Sequence, residues 1–409
     1  MDRSVSQRIS IEIYEQIIDA LALDGASSLK ECATVCWAFV PRCRSHIFRS
    51  VTIGSTGAAL EKADRLSKLF ATSSDLADYV RELNLVLSGR DTDNIGLIHC
   101  LNMFGNLVSI KLKYLYLFGG TPFLLWHEPA MQNFAHAIRR LCLLPTIRSL
   151  VFYGDIRAFP TSLIRDSAAK SLRISFPTLR NDDEHSRLQH PQVEDLELGH
   201  DTGSSADLLV EMQETSNNPP IDLSSLKAIS LCACSHDDIP AARLLSHCHS
   251  LSTIALHNVR DCGTIISGLY DFISGSLPTL HHLTLGLTIE DSSDMKVALV
   301  LGLANQLEKL GGRNKIRTVQ LDAGVHVDGS DHFDVPKELA VIDELLVGDG
   351  WPTLEEVTVS VKPESCSMLA FGRDLSLTLQ HFRETCFPRL SSSRKVVFRF
   401  LPSNSKNLF

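Results

Sequence analysis

Leu277-Pro278-Thr279-Leu280-His281-His282-Leu283-Thr284-Leu285 is the run whose reading decides the fold of this 409-residue chain. Pro278 cannot continue a helix, so whatever helix precedes it must stop there. The six residues from Leu280 then place large aliphatics first, fourth and sixth, the pattern L-x-x-L-x-L. Working outward, ten copies can be marked. Besides the one at Leu280, they begin at Val80 (Leu83, Leu85), Leu107 (Ile110, Leu112), Ile147 (Leu150, Phe152), Ala169 (Leu172, Ile174) and Val193 (Leu196, Leu198). The rest begin at Leu226 (Ile229, Leu231), Leu251 (Ile254, Leu256), Ile316 (Val319, Leu321) and Leu354 (Val357, Val359), with starts 22 to 40 residues apart.

Between copies, apolar residues recur at three and four, which predicts helices. The clearest are Leu60 to Phe70, Met131 to Leu144, Ala241 to Leu251, Thr264 to Ile273, Met295 to Leu310, Val335 to Leu346 and Leu375 to Cys386. Gly350-Trp351-Pro352-Thr353-Leu354 repeats the breaker seen at Pro278, and a closing strand is expected over Lys395 to Leu401. Each helix-stop-strand unit alone exposes the apolar side of both its elements. Burial requires stacking, with parallel strands about 4.8 Å apart. A doubly wound nucleotide-binding sheet also alternates strand with helix, but it needs a Gly-rich turn directly after a strand. Neither Gly54-Ser55-Thr56-Gly57 nor Gly311-Gly312-Arg313-Asn314-Lys315 fits that turn. The repeat resembles irregular leucine-rich repeats, over about four fifths of the chain. Leu226-x-x-Ile229-x-Leu231-x-x-Cys234 also carries that family's Asn/Cys position. The resemblance implies an α/β solenoid, with parallel strands on a concave face and helices on a convex one.

Composition narrows the function. Hydrophobic residues are 44% and charged residues 21%, as in ordinary folded domains. The net charge of −9 opposes docking on nucleic acid or anionic lipid. Eleven scattered cysteines, several inside apolar runs such as Leu141-Cys142-Leu143, fit a reducing compartment, cytoplasmic or nuclear. The start, Met1-Asp2-Arg3-Ser4, has no apolar leader, no Asn-x-Ser/Thr acceptor occurs, and Tyr114 to Trp126 is too short and too interrupted to span a bilayer. No membrane association is expected.

Residues 9 to 53 differ in character: helical apolar spacing, and six basic against six acidic side chains among the first 53 residues. Ile13, Ile17 and Leu21, with Ile18, predict one helix whose Ile17, Ile18 and Leu21 form core. Ser28-Leu29-Lys30-Glu31 predicts a capping box opening a second, and Pro41 marks the break or first turn of a third. Such a module is too small to be strongly stable alone and should need a neighbour. Its three blocks are Ile9-Ser10-Ile11-Glu12-Ile13, then Leu29 through Phe39 with Val35-Cys36-Trp37, then Pro41-Arg42 through His46-Ile47-Phe48. Together they resemble the F-box of fungal F-box proteins. One departure is that Ile9-Ser10 stands where the family has Leu-Pro. The resemblance implies docking on a Skp-family adaptor, and through it on a cullin, by Ile9, Ser10, Ile11, Ile13, Leu29, Val35, Trp37 and Phe39. The expected organisation is a helical module over 1–53, a connecting helix over 54–79 leading into the first repeat, and the array over 80–409.

Catalysis has no visible home. Neither G-x-S-x-G nor H-E-x-x-H occurs. Cys232, Cys234, His236, His247, Cys248 and His249 crowd together without a C-x-x-C knuckle, and Cys36 with His46 lacks an orienting third group. No cofactor, metal or enzymatic activity is expected. The middle column of the predicted strands runs Asn84, Lys111, Val151, Arg173, Glu197, Ser230, Ala255, Thr284, Gln320 and Thr358, with Asp195 and Asp322 adjoining. Its change from basic to acidic suits a protein client better than a polyanion. Asn84, Lys111, Arg173, Asp195, Glu197, Thr284, Gln320, Asp322 and Thr358 are the expected client contacts. The function implied is a non-catalytic substrate receptor of an SCF-type ubiquitin ligase. The alternative is a repeat scaffold whose degenerate F-box reaches no ligase.

Overall fold

The computed structural model describes residues 10–402, apart from 55–56, 89–90, 116–122, 176–177, 183–192, 201, 217, 233–238, 260–263, 290–292, 313, 327–338 and 365–374. The chain forms two compact units, Met1–Lys170 with Asp182–Gln189, and Ser171–Asn181 with His190–Phe409.

The first unit opens with helices α1 (Ile11–Asp24), α2 (Ala26–Val35) and α3 (Val40–Ile47). Ile18, Leu29 and Cys43 form their core, with Leu21, Ala22, Cys32, Ala33, Phe39 and Ile47 packed around it. The stripe of α1 that turns inward contains Tyr14, Ile18, Leu21 and Ala22, and Tyr14 packs its ring 5.0 Å from that of Phe39. Ile17, expected in the core, lies about 100° round the helix from Ile18 and is half exposed. The expected capping box at Ser28 does not form. Gly25, with φ of 113°, lets the chain turn straight from α1 into α2, so the second helix starts at Ala26 and Ser28 falls inside its first turn. Pro41 occupies the first turn of α3.

Asp19 ties α1 to α3. Its carboxylate accepts from Arg42 Nε and Nη2 at 2.7 and 2.6 Å, and lies 2.8 Å from His46 Nε2. The Arg42 guanidinium first, and His46 second, hold this carboxyl well below the ordinary aspartate value of 3.8. The stabilisation is therefore fully present above that value, and it is lost as pH falls through the lower folded value. Water screens the half-exposed pair, so the effect is modest. Asp19→Asn is expected to flatten the loss of helical signal below pH 4, measured by far-ultraviolet circular dichroism against wild type. An unchanged acid profile would remove Asp19 from this role.

The strands of the first unit are β1 (Ser50–Ile53), β2 (Glu82–Leu87), β3 (Ser109–Tyr114), β4 (Leu124–Leu125), β5 (Ser149–Tyr153), β6 (Ile156–Arg157) and β7 (Phe159–Pro160). β1, β2, β3 and β5 are parallel neighbours in that order, and β4 pairs with β6. Helices α4 (Gly57–Thr72), α5 (Ile95–Met103), α6 (Gln132–Cys142) and α7 (Thr161–Arg165) connect them, each packing on the next. The three-helix start continues directly into β1, and α3 packs against the turn Ser74–Tyr79, where Arg44 lies 3.5 Å from Asp75.

The second unit holds β8 (Ser171–Ser175), β9 (Leu179–Arg180), β10 (Asp195–Leu198), β11 (Ala228–Cys232), β12 (Thr253–Val259), β13 (His282–Ile289), β14 (Thr318–His326), β15 (Glu356–Glu364) and β16 (Val397–Pro402). All but β9 form one parallel sheet, β8-β10-β11-β12-β13-β14-β15-β16. Its helices are α8 (Gly203–Thr215), α9 (Ile239–Ser246), α10 (Thr264–Ile273), α11 (Ser293–Leu310), α12 (Leu339–Val347), α13 (Leu375–Cys386) and α14 (Pro388–Ser392). The mixed α/β class with long parallel sheets agrees with the periodicity of the sequence.

The L-x-x-L-x-L positions account for this register. In all ten copies the three aliphatics are buried, none more than 4% exposed, and the second and third lie in consecutive parallel register within each unit. An eleventh copy, Phe48-x-x-Val51-x-Ile53, builds β1, with Val51 opposite Leu83 and Ile53 opposite Leu85. It begins inside the span assigned above to the helical module. The helices end at Ile47 and the sheet begins at Ser50, so the whole of the first strand lies inside the span 1–53 expected of the helical module.

Two side-chain devices tie one unit of the repeat to the unit before it. In three Pro-Thr pairs ahead of strands, the threonine hydroxyl donates to the carbonyl of the first aliphatic in the preceding copy. These bonds are Thr146 to Leu107 at 2.6 Å, Thr279 to Leu251 at 2.9 Å and Thr353 to Ile316 at 3.0 Å. Arg81 and Arg148 reach the other way, donating to the carbonyls of Asn106 and Ala168 in the turns that lead to the following strands. A third contact closes the C-terminal end. The buried Asp343 carboxylate on α12 accepts from the backbone N–H groups of Arg389 and Leu390 at 2.9 and 2.8 Å, capping the first turn of α14. Burial raises this carboxyl above the ordinary aspartate range, and the two donors oppose that rise. Asp343→Ala strands both donors and is expected to cost about 1–3 kcal/mol in denaturant unfolding. A change under about 0.5 kcal/mol would show that water replaces the cap.

Candidate functional site: the helical start and the outward sheet faces

The expected adaptor contacts divide by burial. Ile9 lies outside the described residues. Ser10 is exposed and precedes α1, its carbonyl accepting from Ile13 N at 3.2 Å while its side chain makes no cap bond. Ile11 and Ile13 are half exposed on α1, with Ile17 one turn beyond Ile13. Val35 ends α2 at 74% exposure, and Trp37 follows at 87%. Leu29 and Phe39 stand apart from these. Leu29 is 3% exposed in the three-helix core and Phe39 packs against that core, so each supports the surface from beneath. Their apolar periodicity is that of core positions, which the motif alone does not separate from contact positions.

Trp37, Val35, Ile11, Ile13 and Ile17, all among the described residues, thus leave large apolar side chains in water on a helical start of fewer than forty residues. Scattered exposed leucines are ordinary on protein surfaces, but an indole turned almost wholly to solvent is the kind of side chain that anchors interfaces.

On the sheets, the residues between buried aliphatics face the uncovered side. The middle column predicted from sequence is in register within each unit. Asn84 stands beside Lys111 and Lys111 beside Val151 in the first, while Arg173, Glu197, Ser230, Ala255, Thr284, Gln320 and Thr358 follow one another in the second. The two faces differ in charge. In the first unit Lys111 sits 5.2 Å from the centroid of the Tyr153 ring, and Lys113 is exposed on the same strand. The oxygen of the Asn84 amide is buried with no hydrogen-bond partner.

In the second unit the polar groups largely satisfy one another. Arg173 Nε lies 3.0 Å from Glu197 Oε2 across β8 and β10. Gln320 Nε2 donates to both oxygens of Asp322 at 3.0 Å. Glu356 accepts from Thr358 at 3.2 Å and pairs with Arg399 at 3.1 Å. Asp195 is exposed, and Thr284 is half buried between Ala255 and Gln320.

The described thiols and imidazoles near residue 240 make separate contacts. Cys234 and His236 fall outside the described residues. Cys248 is buried and its thiol donates to the Leu244 carbonyl at 3.3 Å, while His247 lies 3.3 Å from Glu214. Among the described residues no group of three metal-capable side chains exists. His46 engages Asp19 rather than Cys36. One thiol–imidazole contact was missed by the sequence reading. Cys232 Sγ lies 3.2 Å from His200 Nδ1, with 32 residues between them in the chain and no periodicity to signal it.

Among the described residues no helix is long and apolar enough to cross a membrane. Comparison of the chain with protein-family models, and with curated proteins, finds no match to either.

Proposed function

We propose that the chain is a non-catalytic substrate receptor of an SCF-type ubiquitin ligase, working in the cytoplasm or nucleus. In this reading the helical start is an F-box that docks a Skp-family adaptor, and through it a cullin. The strands behind it form an irregular leucine-rich-repeat array whose outward faces hold a protein client. Activity then consists of proximity, raising the effective concentration of client lysines at the ligase. The observation that carries the reading is the exposure of Trp37 and Val35 on a helical start whose three sequence blocks resemble the F-box. The copies standing in parallel register within each unit support the repeat half of the proposal.

The chain co-expressed with a Skp-family adaptor is expected to elute with it as a stable complex that also retains the cullin. Elution free of adaptor would sink the ligase reading. It would leave a binding scaffold with a degenerate F-box, which the exposed Ser10 in place of the family's proline favours.

A further inference from the structure

We infer that Cys232 is a reactive thiol, activated by His200 for exchange with low-molecular-weight disulfides. Cys232 closes β11 and its side chain leaves the sheet on the face opposite the buried Leu231. Cys232 Sγ lies 3.2 Å from His200 Nδ1, within hydrogen-bond reach, and His200 is itself exposed in the turn after β10. In register on the other side stands His257 of β12, half buried. A thiolate is the nucleophile in disulfide exchange, and an adjacent imidazole that takes up the proton favours it.

Most other described cysteines are poorly placed for this chemistry. Cys100, Cys142 and Cys248 are buried, which pushes their thiols up to about 12, and burial likewise pushes Cys43 up to about 11. Cys36 is exposed and no imidazole is hydrogen-bonded to it among the described residues, so it supplies an internal standard.

The exchange balances without an added oxidant. The Cys232 proton passes to His200, and the thiolate attacks one sulfur of glutathione disulfide. The S–S bond of glutathione disulfide breaks, a mixed disulfide forms on Cys232, and the departing glutathione thiolate takes the proton from His200. Cys232 and one glutathione half are joined in oxidised form while the other half is reduced. The inference is independent of the ligase reading, since it concerns only the face of the second unit.

The test uses the full chain. Iodoacetamide at pH 6.5, with sites resolved by tandem mass spectrometry, is expected to label Cys232 roughly tenfold faster than Cys36, because the adjacent imidazole can take up the thiol proton as the sulfur attacks. Glutathione disulfide is expected to form its adduct at Cys232 ahead of Cys36. His200→Gln, at an exposed position, should bring Cys232 down to the rate of Cys36. Labelling of Cys232 no faster than Cys36, or a rate unaltered by His200→Gln, overturns the inference. The wild-type comparison decides it alone if the variant does not fold.

Discussion

Trp37→Ala is expected to weaken capture of a Skp-family adaptor by at least about thirtyfold, the loss corresponding to roughly 2 kcal/mol or more for an aromatic anchor. The argument is one of differential burial. In the free chain the indole is 87% exposed, so its removal deprives the folded protein of almost no contact. Thermal stability should therefore stay within a degree or two of wild type. All the indole's apolar area would be covered only in the complex, which is where its deletion must register. Ile13→Asp serves as the companion, placing a charge on an exposed turn of α1 without touching Ile18, Leu29 or Cys43. Adaptor titration by isothermal calorimetry, with a melt of each variant alone, separates binding from folding. Equal affinity for wild type and both variants would remove the helical start from the interface. A drop in both affinity and melting temperature would mean that Trp37 acts through the fold.

Leu283→Ala is expected to destabilise the second unit by about 2–5 kcal/mol. Leu283 is 1% exposed on β13, flanked in register by Ile254 and Val319, which are likewise buried. Its neighbour Thr284 lies on the opposite face of the same strand, so Thr284→Ala should stay within about 0.5 kcal/mol. The pair of substitutions tests side rather than size. A one-residue slip of register would exchange their effects. Urea unfolding followed by circular dichroism reads both, and similar costs for the two would refute the assignment of faces.

The strands were legible because one face of each is buried and side chains alternate, so three aliphatics at fixed spacing specify direction, face and register together. The helices were legible in outline, and those over Thr264–Ile273 and Leu375–Cys386 have the expected bounds. The first strand was hidden because Phe48, its leading apolar residue, also satisfies the third block of the helical motif. The last strand departs from the pattern for a different reason. Lys395 replaces its leading aliphatic, and Val397 and Leu401 are half exposed, as suits a strand paired on one side among the described residues.

At the candidate site, sequence order supplied the middle column but not its internal pairing. The Arg173–Glu197 contact follows from register once β8 and β10 are known to be neighbours. Leu29 could not be distinguished from Val35 by residue type, because an apolar docking surface and an apolar core ask for the same side chains. The His200–Cys232 contact depends on where a turn carries its first residue, for which no local pattern speaks. The threonine hydroxyls were equally silent. A Pro-Thr pair announces a stop, but the acceptors of Thr146, Thr279 and Thr353 lie 39, 28 and 37 residues back and come within reach only after the fold has closed.

Those hydroxyls also give the molecule a temporal polarity. Each one needs a carbonyl that belongs to an earlier stretch of chain, never to a later one. A ribosome releasing this polypeptide from its amino end therefore delivers every acceptor before the donor that will claim it. The nascent chain can set each new course upon a finished one, without waiting for its own terminus.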